Sequence, residues 1–194
     1  MSLADDIRRR FEATAHLPAP FTGENPLDPE LPLVPAAVLV AIVDRPEPGL
    51  ILTKRNERLR KHPGQTAFAG GRADPGDTGP EDTALREAWE EIAMPRDAVT
   101  LIGRDATFHT ATGYSIVPVV GIVPPDLPLV AREYEVAEIF EVPLAHVLDP
   151  AQHILTSGEL GGRVRTYHDI VWRDYRIWGV TAALVINLSR RLAA

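Results

Sequence analysis

The sequence has 194 residues and no cysteine, which excludes disulfides, cysteine-ligated zinc and a thiol nucleophile. Serine occurs only four times, never within G-x-S-x-G, so an esterase-type nucleophile elbow is not expected. Long apolar runs are also missing: Val34–Val43 has ten residues, whereas a membrane-spanning helix needs about 20. Residues 1–16 carry charges where a signal peptide would be apolar. We therefore expect a cytoplasmic protein with no membrane partner.

The charge balance is acidic, because 20 Lys and Arg residues stand against 27 Asp and Glu residues, a net charge of −7. A general nucleic-acid-binding protein is not expected from this balance, although a local basic patch could hold a small anion. The hydrophobic fraction of 45% is sufficient for a packed core. The length predicts one domain with an added arm.

The arm is predicted at the N-terminus. Residues 2–15 have the capping and spacing of an amphipathic helix. Six prolines within residues 17–35 exclude regular helix and central strand there, so this stretch is predicted to be extended. The expected organisation is therefore an N-terminal helix and proline-rich arm over residues 1–34, followed by one domain over residues 35–194.

Hydrophobic patterning in the domain predicts an α/β protein. Strands and helices mix without strict alternation, which favours a mixed β-sheet with helices on both faces. Residues 55–79 are rich in charge and glycine and are predicted to be long loops, and another loop is expected near 157–162. The predicted strands are 35–44, 50–54, 99–108, 114–123 and 136–142, and the predicted helices are 80–94, 143–149 and 178–192.

The helix predicted over 80–94 carries three glutamates on one face. Glu87, Glu90 and Glu91 lie at i, i+3 and i+4, opposite an apolar stripe on which Trp89 is expected to be core. Three neighbouring carboxylates repel one another unless a cation lies between them. Arg86 cannot neutralise all three, whereas Mg²⁺ or Mn²⁺ prefers such oxygen ligands and bridges them to phosphates. Such an acidic face alone is more often simply solvated. The residues upstream of the helix therefore decide whether a cation site is predicted.

That context resembles the signature of the Nudix hydrolase family. Gly71, Asp77 and the run Arg86-Glu87-Ala88-Trp89-Glu90-Glu91 are similar to the family pattern G-x5-E-x7-R-E-U-x-E-E-x-G-U, where U is apolar. Three features depart from it: Asp77 replaces Glu, eight residues instead of seven separate Asp77 from Arg86, and Ala93 replaces Gly. The resemblance implies a Nudix-like α/β/α sandwich with a mixed β-sheet, and a Nudix hydrolase domain over residues 35–194.

A second stretch resembles the pattern that precedes the signature in coenzyme A pyrophosphatases, L-L-T-x-R-[SA]-x3-R-x3-G-x3-F-P-G-G. The spacing agrees throughout, with Asn56 in place of Ser or Ala and Ala69 in place of Pro. With later similarities, the resemblance extends over roughly residues 35–185. The matching residues are Leu52, Thr53, Arg55, Arg60, Gly64, Phe68, Gly70 and Gly71.

This second stretch is basic: six of the nine residues from 54 to 62 are Lys, Arg or His. Guanidinium groups hold phosphate oxygens in a bidentate manner, so the stretch suits a phosphate-rich ligand. The 3′-phosphate that coenzyme A carries beside its diphosphate would use such extra cationic contacts. The residues predicted to bind substrate are Arg55, Arg60, Lys61, Gly64 and Gly70.

The resemblance implies metal-dependent chemistry at the acidic helix. Glu87 and Glu91 are predicted to bind Mg²⁺ or Mn²⁺, with Glu90 as ligand or base and the Gly71 carbonyl as a further ligand. Arg86 is predicted to orient the glutamates. A further acid is expected from a later loop, and Glu135 is favoured among three candidates. Those three are Glu133, Glu135 and Glu138.

The function implied is hydrolysis of the diphosphate bond of coenzyme A, or a derivative, to 3′,5′-ADP and 4′-phosphopantetheine. One alternative is another Nudix substrate, such as ADP-ribose, NADH, a dinucleoside polyphosphate or a damaged nucleoside triphosphate. Another is a module that senses a nucleotide without turnover, and a third is a purely structural interaction domain. The predicted partner is a small nucleotide, and an apolar arm and two exposed faces permit a homodimer.

Overall fold

The structure is a computed structural model that describes residues 2–25, 30, 32–60, 62–160 and 163–193. Its helices are α1 (Leu3–Ala13), α2 (Pro80–Ile92), α3 (Leu144–Leu148) and α4 (Val180–Leu192), and its 3₁₀ turns are Arg96–Ala98 and Pro150–Gln152. Its strands are β1 (Val34–Val43), β2 (Gly49–Arg55), β3 (Thr66–Ala67), β4 (Ala69–Arg72), β5 (Thr100–Arg104), β6 (Phe108–His109), β7 (Tyr114–Val123), β8 (Val136–Pro143), β9 (Ile154–Leu160), β10 (Arg163–Trp172) and β11 (Tyr175–Trp178).

The main sheet is mixed and is organised around β1. Its order is β3-β2-β1-β7-β5, with β4 also pairing with β1, β6 with β7 and β8 with β2. The β1–β7 pair is parallel, whereas the other pairs of this sheet are antiparallel. Strands β9, β10 and β11 form a separate antiparallel sheet. The predicted mixed sheet is therefore confirmed.

Strand β1 is apolar throughout because both of its faces are covered. Side chains alternate across a strand, so Leu39 and Ala41 pack on the α2 side while Val40 and Ile42 pack on the other side. The α2 side contains Ala84, Ala88 and Ile92, and the other side contains residues of α1 and α4. The predicted α/β/α sandwich is confirmed.

The N-terminal segment is bound to the rest of the fold. Ser2 and Asp5 form a capping box at α1, and Arg10 donates to the Leu192 carbonyl at 2.8 Å. Beyond α1, His109 in β6 donates to Thr22 O at 3.0 Å and accepts from Glu24 N at 2.8 Å. Residues 22–24 of the proline-rich arm therefore cover the edge of the main sheet at β6, where unpaired backbone groups would otherwise be exposed.

Several predicted element boundaries differ from the structure. The expected loops at 55–79 contain β3 and β4, and the strand expected over 99–108 is divided into β5 and β6. The loop expected near 157–162 is wrong up to Leu160, because β9 continues to that residue, and 161–162 lie outside the described residues. No helix of the described residues is long and apolar enough to cross a membrane.

Candidate active site

Helix α2 lies against β1 and β4 through small residues. Ala84 and Ala88 are fully buried, and their small side chains allow a close approach of the helix to the sheet. Glu91 is buried with them at 5% exposure, whereas Trp89 is 51% exposed. The prediction of a core position for Trp89 is therefore wrong: the helix is rotated so that Glu91, not Trp89, lies beside the buried alanines.

Strand β4 faces the carboxylates with two glycines. The Gly70 N–H donates to Glu91 Oε2 at 3.1 Å. A Cβ atom added to Gly71 would lie 2.7 Å from the carboxylate of Glu87, closer than a side chain can approach. The glycine pair thus allows the backbone of β4 to lie directly against Glu87 and Glu91. The predicted ligand Gly71 is consequently next to the predicted ligand Glu87.

Arg86 connects the acidic groups of this region. Its Nη1 lies 3.0 Å from Glu87 Oε1 and 3.2 Å from Glu90 Oε2. On its other edge, Nε and Nη2 bind the two oxygens of Asp77 at 2.9 and 3.0 Å, and Nη2 also donates to Arg72 O at 3.0 Å. Arg86 therefore orients Glu87 and Glu90 while attaching the preceding loop to the helix.

Asp77 is a partner of Arg86, despite the extra residue and the shorter side chain at this point. Its Oδ2 also accepts hydrogen bonds from Thr83 Oγ1 at 2.8 Å and from Asp74 N at 2.9 Å. The Arg86 guanidinium, with these two donors, holds the pKa of Asp77 well below its usual range. The loop before α2 thus accommodates the inserted residue and still delivers a carboxylate to Arg86.

Burial and like charge make the helix carboxylates harder to ionise. Burial raises the pKa of Glu91 to about 7, the charges of Glu87 and Glu135 add to the rise, and the Gly70 N–H and Arg55 oppose it. The pKa of Glu87 is also raised, chiefly by burial, with Arg86 opposing the rise. Glu135 and Arg55 are therefore close enough to Glu91 for their charges to act on it.

The structure places the three later glutamates in different surroundings. Glu135 immediately precedes β8, and its carbonyl accepts from Asn56 N at 2.8 Å, which places it beside the end of β2. Glu138 shares a face of β8 with Phe140, on the side away from α2, and accepts from the Tyr175 hydroxyl at 2.5 Å. Glu133 is an exposed residue. Of the three, Glu135 acts electrostatically on both Glu87 and Glu91.

The residues predicted to bind substrate are placed unevenly. Arg55 ends β2 on the α2 side, and its buried Nε has no hydrogen-bond partner among the described residues. Arg60 is exposed on the loop over 56–65, and Lys61 lies outside the described residues. Gly64 has φ of +66° and lies against the Glu57 carboxylate, so this turn requires glycine.

The donor set fits a hard divalent cation in its chemistry. Glu87 and Glu91 of α2 lie against the glycine backbone of β4, and Glu90 is joined to Glu87 through Arg86. Oxygen ligands of this kind suit Mg²⁺ or Mn²⁺. Among the described residues, however, no three acidic or histidine side chains are already close enough together to enclose an ion. Glu87 and Glu90 instead each bind Arg86 through one carboxylate oxygen.

The raised pKa of Glu91 predicts that a cation stabilises the protein most at high pH. The ordinary value of 4.5 rises to about 7 in the folded state, so stability of the metal-free protein falls as pH rises through that window. Above pH 7 the ionised, buried Glu91 carboxylate lowers the free energy of unfolding by its full amount, on the order of 3 kcal/mol. A cation beside the carboxylate offsets this cost.

The measurement is thermal unfolding with saturating Mg²⁺ or Mn²⁺ and with EDTA, at pH 5 and at pH 8. We expect the increase in Tm caused by the metal to be clearly larger at pH 8. An equal increase at both pH values, or none at pH 8, would contradict a cation bound next to Glu91. Ca²⁺, another oxygen-preferring cation, serves as a comparison that does not depend on turnover.

Comparisons with known proteins identify the family of this chain. The sequence-family model described as NUDIX domain matches residues 33–158 of this chain. The chain is 47% identical over 159 residues to the uncharacterized Nudix hydrolase NudL of Cronobacter sakazakii, covering 81% of this chain and 82% of that protein. It is 42% identical over 160 residues to the protein of the same name from Yersinia pestis, covering 81% and 79%.

Solved structures show the same fold at lower identity. The Nudix hydrolase RenU of M. smegmatis superposes with a TM-score of 0.50 at 23% identity, over 66% of this chain and 75% of that one. The MutT/nudix family protein of Enterococcus faecalis also has a TM-score of 0.50, at 16% identity, over 97% and 73%. These structures share the fold, while the matched domain and the NudL relatives show that the chain belongs to the Nudix hydrolase family.

Proposed function

We propose that this Nudix hydrolase cleaves the diphosphate bond of coenzyme A or a close derivative. Nudix hydrolases act on nucleoside diphosphate derivatives and generally use divalent metals such as Mg²⁺ or Mn²⁺. The observation that carries the substrate assignment is the position of Arg55, which is half-buried on the α2 side of β2 and acts electrostatically on Glu91. Arg55, the second residue of the basic stretch, therefore lies on the same side of the sheet as the acidic helix.

The cation ligands in this proposal are Glu87, Glu90 and Glu91, with the backbone of Gly71 beside them. A bound cation neutralises the diphosphate charge and favours attack by water. Glu91 accepts from the Gly70 N–H, which fixes one of its oxygens. Arg86 keeps Glu87 and Glu90 on the same side of α2 through its Nη1. Arg86 is thus a positioning residue, whereas the carboxylates bind the cation.

The proton acceptor in this proposal is Glu135. Hydrolysis forms one P–O bond from water, breaks the bridging P–O bond and releases one proton from the attacking water. Glu135 comes from a separate segment and acts on both Glu87 and Glu91, whereas Glu90 already shares Arg86. A carboxylate across from the ligands is suitably placed to accept that proton.

The substrate phosphates are assigned to the basic stretch. Arg55, Arg60 and Lys61 supply the cations in this assignment, and Gly64 and Gly70 belong to the same stretch of sequence. An arginine fork holds phosphate oxygens at two points, and the half-buried Arg55 side chain is assigned to the diphosphate. The 3′-phosphate of coenzyme A gives this stretch a second anionic group to bind.

The direct test is hydrolysis of coenzyme A with Mg²⁺ or Mn²⁺, against dephospho-coenzyme A, ADP-ribose, NADH and a nucleoside triphosphate. Each reaction has an EDTA control. We expect metal-dependent release of 3′,5′-ADP, with coenzyme A well ahead of dephospho-coenzyme A. Preference for another diphosphate would overturn the substrate and leave the acidic helix as the metal site. No turnover, with coenzyme A still bound, would indicate a nucleotide-sensing module.

Substitution of Arg55 is expected to weaken the binding of coenzyme A. We expect Arg55→Ala to raise KM for coenzyme A about 30-fold, because one charge-assisted hydrogen bond contributes about 2 kcal/mol. Arg55→Lys should recover only part of this, since lysine keeps the charge and loses the fork. Steady-state kinetics provide the measurement, and Arg190→Ala, at an exposed arginine of α4, is the control. An unchanged KM in Arg55→Ala would remove Arg55 from the substrate site.

A further inference from the structure

Asn56 joins the basic stretch to the segment that carries Glu135. It follows Arg55 directly, at the end of β2. Its backbone N–H donates to the Glu135 carbonyl at 2.8 Å, and its side-chain Nδ2 donates to the Glu133 carbonyl at 2.5 Å. One residue thus holds the two segments together at two points, immediately beside the arginine assigned to the diphosphate.

The same side chain also shapes the loop that follows. Asn56 Oδ1 accepts from Arg58 N at 3.0 Å, and the Asn56 carbonyl accepts from Leu59 N at 3.2 Å. A backbone N–H that donates to a side-chain oxygen two residues earlier is typical of an Asx turn. Because both side-chain partners are backbone groups, one a donor and one an acceptor, the orientation of the amide is unambiguous.

The segment bound by Asn56 is itself attached to the catalytic helix. Arg132 N donates to Glu91 O at 2.9 Å, and Val130 N donates to Ile92 O at 3.0 Å. These bonds satisfy carbonyls at the C-terminus of α2, which lack partners within the helix. Hydrogen bonds therefore run without interruption from the helix through this segment to Asn56 and the basic loop.

We propose that Asn56 is a positioning residue that sets the separation between Arg55 and the carboxylates Glu91 and Glu135. This inference rests on the proposed function in assigning the substrate diphosphate to Arg55. The coenzyme A pyrophosphatase pattern that this stretch resembles has Ser or Ala in place of Asn56. A serine retains an acceptor for the turn but lacks the amide donor to Glu133, and alanine lacks both. The asparagine thus adds a connection that the pattern residues cannot form.

The test is a comparison of Asn56→Ser and Asn56→Ala. Loss of one hydrogen bond of ordinary strength corresponds to about a fivefold effect, so we expect both variants to raise KM about fivefold with kcat within about twofold. Asp149→Ala removes a similar turn bond, which Ala151 N donates to Asp149 Oδ1 at 2.9 Å, and should leave KM unchanged. An effect confined to Asn56→Ala would assign the role to the turn and overturn the proposed link.

A second measurement does not depend on turnover. Glu135 N and Val136 N both donate to Arg132 O at 2.8 Å, within the segment that Asn56 binds. We expect hydrogen exchange at these two amides to be about fivefold faster in Asn56→Ser, because the segment opens more often. Unchanged exchange would overturn the inference.

The substrate for the kinetic comparison is whichever diphosphate the unmodified protein hydrolyses best. If that substrate is ADP-ribose, the coenzyme A assignment fails while the role of Asn56 is still tested. If no substrate is hydrolysed, the exchange measurement decides alone. Failure of the proposed function and failure of this inference are therefore distinguishable.

Discussion

Glu91→Gln is expected to lower kcat by about three orders of magnitude while the protein remains folded. A cation that neutralises charge in the transition state contributes several kcal/mol, and about 4 kcal/mol corresponds to a thousandfold in rate. Glutamine keeps the size of the side chain and an oxygen for the Gly70 N–H, which now donates to Glu91 Oε2. It removes the charge that a cation requires. Steady-state kinetics at saturating Mg²⁺ or Mn²⁺ provide the measurement.

Folding of this variant should be intact and, without metal, more stable at pH 8 than the parent. The parent carries a buried carboxylate whose pKa is raised to about 7, and the neutral amide has no ionisation cost. Glu81→Gln is the matched control, because Glu81 lies in the first turn of the same helix and pairs with Arg104. Retention of more than about a tenth of parental kcat by Glu91→Gln would remove Glu91 from the metal site.

Arg86→Leu is expected to lower the free energy of unfolding by about 3 kcal/mol at pH 7, the usual loss when one partner of a buried ion pair is removed. The Asp77 side chain is 7% exposed and that of Arg86 is 18% exposed. Without Arg86, Asp77 remains as a buried carboxylate with only neutral donors. Chemical denaturation at a series of pH values provides the measurement, and kcat should fall as well because Glu87 and Glu90 lose their common partner.

The pH dependence of this loss follows from Asp77. Its pKa is lowered in the folded parent by Arg86, so the pair stabilises the parent above the ordinary carboxyl pKa of 3.8 and the benefit disappears as pH falls through the lowered value. The difference between parent and variant should therefore shrink in acid. Arg104→Leu breaks a surface pair, with Arg104 53% exposed, and should cost much less. Equal losses in the two variants would contradict a special role for Arg86.

The main elements of the fold were predictable from local pattern. Strand β1 was evident because it is apolar on both faces, and α2 because its small apolar residues recur at helical spacing. The short strands β3 and β4 were missed, since two and four residues carry no periodicity. They are strands only because β2 and β1 provide their hydrogen-bond partners.

The orientation of α2 could not be predicted from its apolar stripe alone. The stripe includes both Ala88 and Trp89, and either could have marked its centre. The glycine pair of β4 admits the carboxylate side of the helix to the interface, so Glu91 is buried and Trp89 is exposed. The choice depended on a strand that is distant in the sequence and invisible to helical periodicity.

The sequence by itself determined the parts of the site that are local. Helix geometry places Glu87, Glu90 and Glu91 together, whatever surrounds them, and the adjoining basic stretch indicates a phosphate ligand. Only the tertiary structure distinguished the later glutamates, because a register shift between Lys54 and Arg55 pairs Arg55 with Val136 and leaves Glu138 on the opposite face. It also decided that Asp77 binds Arg86. Contacts between distant segments depend on strand register and burial, which no local spacing encodes.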